Sequence, residues 1–530
     1  MEAQRVFIYD TTLRDGTHGE KINFSAEEKL RIAQRLDELG FHYIEGGWPG
    51  SNPKDVRFFE MAKGFSFRQA RLTAFGSTRK PGIRPENCRN LRALLRAETP
   101  AVAIFGKSWN LHVTEILGIP LEENLEMIRD SIAFLKARGK EVIFDAEHFF
   151  DGWRHNPAYS LETLKAARDA EADWIVLCDT NGGTLPHDLT AAVQKVAALI
   201  PPDRLGIHVH NDCGLAVANT LAAVHAGAVM VQGTVNGYGE RCGNADLTSV
   251  IGNLQLKMNR ACLSEASLQQ LTNLSYYVSE VANVRPLPFR PFVGRSAFAH
   301  KGGVHVSALA KNPLAYEHIR PEWVGNRQRV LVSDLAGKSS IAFKAKELGI
   351  DLGDNEAVNR KIVWEIKRLE DQGFQFDAAD GSLALLMKKI TGAFKEPFTL
   401  QCFSVTNVKT RNNPSLCQAT IKISVGNEEE LTAAEGNGPV NALDHALRKA
   451  LTKFYPQINE MHLIDFKVRI VEGSEGTAAR VKVLLDSRDG EEVWSTIGVS
   501  ENIIEASWQA LVDSIQYKLS KDKLNKNDHA

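Results

Sequence analysis

Eight short apolar, β-branched runs stand before residue 240, separated by polar or glycine-bearing loops and by stretches with helical periodicity. They are VFIYD (6–10), YIEGG (43–47), LTAFG (72–76), VAIFG (102–106), VIFDA (142–146), WIVLCD (174–179), LGIHVH (205–210) and VMVQGTV (229–235). Strands that alternate with helices pair in parallel, because a parallel neighbour is reached only through a crossover. Eight such units fit a closed (β/α)8 barrel better than an open doubly wound sheet, and periodicity alone leaves the open sheet standing as the rival. Among the helical stretches, Ser25 and Glu28 form a capping-box pair at the head of SAEEKLRIAQRLDELG, with Gly40 as its stop. Further helices are expected over 121–139, 160–172 and 189–200.

The chain has 530 residues, too many for one domain at roughly 150 residues each. With 63 basic against 65 acidic residues its net charge is −2, so no global field favours nucleic acid or an anionic membrane. The start, MEAQRVFIYD, lacks the basic and apolar regions of a secretory signal, and no apolar stretch reaches the ~18 residues of a spanning helix. A cytoplasmic protein is the expectation. Its seven cysteines are scattered and never form a CxxC pair, which points to reduced thiols and away from a disulfide framework or a thiolate zinc site.

Ionisable residues gather at strand ends and in the loops just after them, the face where barrel active sites assemble. DTTLRDGTHGE after strand one places Asp10, Arg14, Asp15 and Glu20 in a short loop, and HVHND after strand seven carries His208 and His210. Strand periodicity puts both imidazoles on one side. In an eight-membered ring only strand eight separates strands seven and one, so Asp15 completes a two-histidine, one-carboxylate set suited to a catalytic divalent ion such as Mg, Mn, Zn or Fe. The rival reading of HxH alone is a hydrogen-bonded pair of barrel histidines. NGYGERCGN (236–244) fails as a dinucleotide fingerprint because Cys242 stands where a glycine is needed; there Asn244 could support or extend the metal shell. AGKSS (336–340) likewise lacks the first glycine of a phosphate loop. Strand five runs into Asp145, Glu147 and His148, and strand six into Asp179 and Thr180. Glu147 is a candidate base or proton-relay carboxylate, with a structural anchor as the competing role. Phe105, Trp109 and Phe144, at or just after strand ends, either narrow a substrate pocket or pack the core.

The domain reading is a barrel over 1–275, a linker with small helical subdomains over 276–395, a repeat module over 396–520 and a polar, frayed tail over 521–530. The module holds two tandem βββα units. FTLQCFSVTN, SLCQATIKISV and LTAAEGNG precede the helix of PVNALDHALRKALTKFY, and LIDFKVRIVE, AARVKVLLDS and EVWSTIGVS precede that of ENIIEASWQALVDSIQYKL.

DTTLRDG, HVHND, GYGERCGNADL and AHKGGVHVSAL, in that order and spacing, resemble the 2-isopropylmalate, homocitrate and citramalate synthase family over nearly the whole chain. The resemblance implies condensation of acetyl-CoA, as co-substrate, with a 2-oxo acid, followed by thioester hydrolysis. It implies a divalent metal (Mn, Mg or Zn) on Asp15, His208 and His210, Arg14 against oxyanion charge, and Glu147 with His305 and Tyr316 for proton transfer. Thr180 would take the oxo acid's carboxylate. His300 competes with His305, which is preferred because the family motif ends GIH or GVH. Segments 41–55 and 104–113 most resemble the citramalate branch, implying pyruvate as the oxo acid, with Phe105 and Phe144 walling its pocket. The repeat module resembles that family's allosteric domain, implying a homodimer with isoleucine as feedback effector. Arg79, Lys80, Arg84 and Lys107 either touch coenzyme A phosphates or form a solvated basic loop. Isopropylmalate or homocitrate synthesis, a hydroxymethylglutaryl-type lyase, and a non-catalytic amino-acid sensor are the alternatives.

Overall fold

A computed structural model describes residues 4–309, 311–333, 337–353, 356–409, 416–471, 479–490 and 492–527. It divides into two units, Met1–Phe298 with Ile319–Arg327, and Ala299–His318 with Gln328–Ala530. In the first, eight parallel strands close into a ring: β1 (Phe7–Asp10), β2 (Tyr43–Gly47), β3 (Arg71–Ser77), β4 (Ala101–Lys107), β5 (Glu141–Glu147), β6 (Trp174–Asp179), β7 (Leu205–Val209) and β8 (Met230–Gly233). Closure is made by β1 on β8, with Tyr9 opposite Gln232, so the open-sheet alternative falls.

Strand alternation sorts two cores. Tyr9, Tyr43, Phe75, Ala103, Ile143 and Val176 fill the barrel, while Ile8, Ile44, Ile104, Phe144, Leu177 and Ile207 face the surrounding helices. The polar residues that follow inward parity, Glu45, Asp145, Gln232 and His208, are all buried.

The capping box is present at Ala26–Glu38, with Ser25 Oγ accepting from Glu28 N and the Glu28 carboxylate accepting from Ser25 N. The helix expected over 160–172 begins earlier, at Pro157, because Asn156 Oδ1 caps Tyr159 N and proline occupies the first turn. A short helix, Phe149–His155, stands before it. Lys29, 1% exposed, pairs with Asp55, which also accepts from Trp48 N. Gly47, at φ 144°, permits this loop, since a Cβ there would lie 2.4 Å from Asp55 Cγ.

His42 accepts from Ile8 N through Nδ1, and burial with Arg5 nearby pulls its pKa down to about 4. The unfolded imidazole takes up its proton near pH ~6.5. Protons therefore favour unfolding as pH falls from there to about 4, and the contribution is fully present only above that window. Denaturant titrations are expected to show His42→Gln losing part of the parent's drop in stability across it. An unchanged drop would remove His42 as a cause.

In the second unit, β9 (Ala299–His300) pairs with β10 (Arg329–Val330), and helices Lys338–Glu347, Glu356–Asp371 and Asp380–Thr391 follow. Two antiparallel sheets come next, β11 (Thr399–Val408), β12 (Leu416–Val425) and β13 (Glu428–Gly436) with helix Pro439–Thr452, then β14 (His462–Ile470), β15 (Val481–Arg488) and β16 (Val493–Ser500) with helix Ile503–Asn527. The repeat is physical: the first strand of each sheet carries a register shift, at Leu400/Cys402 and Leu463/Asp465. Each third strand also spends a threonine hydroxyl on its helix, Thr432 on Ala446 O and Thr496 on Ala510 O, both 2.8 Å. The last helix continues through Asn527, into the stretch expected to fray; 528–530 lie outside the described residues. Among the described residues no helix is long and apolar enough to cross a membrane.

Candidate active site

Asp15 opens a single helical turn after β1, His208 sits on β7, and His210 lies one residue beyond it. Asp15 Oδ2 is 3.3 Å from His208 Nε2 and 3.9 Å from His210 Nε2, and the two imidazole centroids are 5.1 Å apart. All three side chains are buried, and one ligand atom from each falls within 4.8 Å of the others. Asp15 Oδ2, His210 Nδ1 and Asn244 Oδ1 are buried without a hydrogen-bond partner among the described residues. One carboxylate oxygen and two imidazole nitrogens clustered this closely are a donor set that fits a divalent cation.

Arg14 stands beside it. Its Nη1 is 3.3 Å from Asp15 Oδ1, its Nε donates to Glu45 Oε1 over 2.6 Å, and its guanidinium lies 3.9 Å from the Phe75 ring centre. Tyr9 donates to the other Glu45 oxygen at 2.6 Å. Burial would raise the Asp15 pKa, but Arg14, His18 and His208 hold it well below the carboxylate range. Burial also acts to lower the His208 pKa, and Asp15 outweighs it and raises it. His210, desolvated and beside His208, is pulled down to about 3 and stays neutral. Asp145, buried and near Glu45, is pushed up to about 7.

These groups open on a cavity of about 460 Å³ lined by Arg14, Asp15, His208, His210, Glu147, Thr180 and Phe105 among others. Glu147 pairs with Lys107, and Thr180 Oγ1 accepts from His148 N. Phe105 stacks on Phe75 at 5.5 Å and meets Trp48 edge-on at 5.7 Å, forming an aromatic wall. Asn244 is held beside His210 by a backbone bridge and does not line the cavity.

Phe144 needs correction. It is 0% exposed and points outward, where a Cβ on Gly106 would touch its ring, so it packs the barrel against its helices and cannot wall a pocket. Alternation explains this: its neighbour Asp145 takes the inward position. Trp109 stacks with His112 and His155 instead of lining the cavity. Arg79 is buried on Asp130, and Lys107 is taken by Glu147, so neither belongs to a solvated basic loop.

His305 and Tyr316 belong to the second unit, where their rings stack 4.2 Å apart and both are exposed. His300, the competing candidate, lies 3.3 Å from Glu317. Sequence reasoning passed over Glu45, Gln232 and Arg241. Arg241 grips Asp212 through two nitrogens and donates to Thr180 O. It sat inside GYGERCGN, whereas Glu45 and Gln232 are signalled only by a polar residue at an inward strand position.

Fold and site together define a (β/α)8-barrel protein with a two-histidine, one-carboxylate centre at the C-terminal mouth. The HMGL-like family model matches residues 5–278, the homocitrate synthase post-HMGL domain-like model 292–374, and the LeuA allosteric (dimerisation) domain model 377–519. The chain is 54% identical over 519 residues to an (R)-citramalate synthase of Geobacter sulfurreducens, covering 98% of each. It is 53% identical to that of Aquifex aeolicus, covering 98% of this chain and 99% of the relative. A 2-isopropylmalate synthase of Methanocaldococcus jannaschii is more distant, at 31% over 98% of this chain and 95% of its own length. The chain belongs to the HMGL-like family, in the branch that carries the LeuA allosteric domain and includes the (R)-citramalate synthases.

Proposed function

We propose that this chain catalyses the (R)-citramalate synthase reaction, an acyl transfer that joins acetyl-CoA to pyruvate and then hydrolyses the thioester. The observation that carries the reading is whole-chain identity of 44–54% to five proteins of that name. The cavity chemistry suits it. Asp15, His208 and His210, with Asn244 behind them, would hold a divalent ion, whether Mn, Mg or Zn, which when bound would polarise the pyruvate carbonyl. Glu147 takes a methyl proton from acetyl-CoA, aided by His305 and Tyr316 from the partner of a homodimer. The carbanion's electron pair forms the new C–C bond, and the carbonyl oxygen gains the negative charge that Arg14 stabilises before protonation. Water then cleaves the thioester and CoA leaves as the thiol.

Thr180 binds the pyruvate carboxylate, and Phe105, Phe75 and Trp48 leave room for a methyl group. The catalytic residues sit in the 1–275 domain, with 276–395 contributing to the site and 396–520 serving dimerisation and isoleucine control in the cytoplasm. CoA thiol release with pyruvate, 2-oxoisovalerate and 2-oxoglutarate, with and without chelator, tests this. Chelator-sensitive turnover with pyruvate that isoleucine depresses is expected. Turnover with another acid alone points to isopropylmalate or homocitrate synthesis; none with any acid points to an amino-acid sensor.

A further inference from the structure

Gln232, on β8, is fully buried between an imidazole of the metal site and a carboxyl group of the cavity wall. Its Oε1 lies 2.9 Å from His208 Nδ1, and its Nε2 donates to Asp145 Oδ1 over 3.0 Å. Asp145 keeps an acceptor oxygen in either protonation state, so the N–H end of the amide belongs on its side. That turns Oε1, which can only accept, toward His208. Two facing acceptors would repel, so Nδ1 carries a proton and donates it. The other ring nitrogen, Nε2, is the one that faces Asp15.

We propose that Gln232, locked by Asp145, is a positioning residue that fixes His208 as the Nδ1-protonated tautomer and so presents the Nε2 lone pair to the divalent ion. Among the described residues His210 has no counterpart, since its Nδ1 is buried without a hydrogen-bond partner there. Of the two imidazoles, His208 is therefore the one with a fixed orientation. The chain Asp145–Gln232–His208 also links the cavity wall to the ion site, because Asp145 itself lines the cavity. Partners of this kind orient a ligating histidine, and losing one typically costs about 10–100-fold in metal affinity.

This inference rests on the metal reading above, and the test separates the two. Co(II) is titrated into the full-length parent, Asp15→Asn, Gln232→Leu, Gln232→Glu and the double variant Gln232→Glu/Asp145→Asn, following the visible absorption band. Gln232→Leu is expected to weaken binding about 10–100-fold. Gln232→Glu still offers His208 Nδ1 an oxygen acceptor, and Asp145, pushed up to about 7, can supply the proton the two carboxyl groups share, so binding is expected to hold near the parent's. Adding Asp145→Asn gives the new carboxylate an N–H to accept from while its other oxygen still takes the His208 proton, so affinity and band stay near the parent's. Parent affinity in Gln232→Leu overturns the proposal, as does a double variant that binds about 10-fold or more weaker than the parent. The isosteric double variant decides the matter if the leucine variant fails to fold. A parent that binds no Co(II), or binds it as well after Asp15→Asn, overturns the metal reading and this inference with it.

Discussion

Arg14→Ala is expected to cut turnover by about 10²–10³-fold, the scale of losing one preorganised donor at developing oxyanion charge. It is also expected to destabilise the barrel. Arg14 is what neutralises Glu45, which is 0% exposed and among the described residues otherwise accepts only the Tyr9 hydroxyl. Removing one partner of such a buried pair costs about 3–5 kcal/mol, because a charge is left behind without compensation. The sequence alone suggests a variant that loses activity and keeps its fold; the structure couples the two. The double variant Arg14→Ala/Glu45→Gln separates them again, recovering the unfolding midpoint while thiol release stays low. A double variant that regained turnover would take Arg14 out of the chemistry, and an Arg14→Ala protein as stable as its parent would dissolve the pairing argument.

The second large effect is expected from Asp15→Asn and His208→Ala. Each removes a donor from the buried cluster, and several kcal/mol of carbonyl polarisation corresponds to about a thousandfold in rate. Because the donors act as one unit, combining the two changes should lower the rate little beyond either alone. Mn(II) titration should show binding lost in parallel. A chelator-treated parent running at full speed, or an Asp15→Asn protein that keeps both metal and rate, would dismiss the cation from the mechanism. Arg14 shapes this site as well, since it holds the Asp15 carboxyl ionised against the pull of burial.

The eight strands were legible because each is a short β-branched run bounded by turn residues and followed by helical periodicity. The Asp15, His208 and His210 cluster was legible from a two-residue spacing and from a ring in which only one strand intervenes. Glu45 and Gln232 were not, since nothing at either position names its partner and each acts through a neighbour on another element. Phe144 was misplaced because an aromatic at a strand end gives size without direction. Its parity with Asp145 was available in the sequence, and applying it would have turned the ring outward.

What the sequence by itself determined is the succession of strands and helices, the doubled βββα module and the identity of the donor set, since all three follow from local periodicity and side-chain chemistry. Only the tertiary structure decided that the sheet closes and which partners the buried Glu45 and Gln232 hydrogen-bond. Closure depends on pairing β1 with β8, whose residues stand more than two hundred positions apart, and the hydrogen bonds depend on the register between neighbouring strands; no local pattern encodes either.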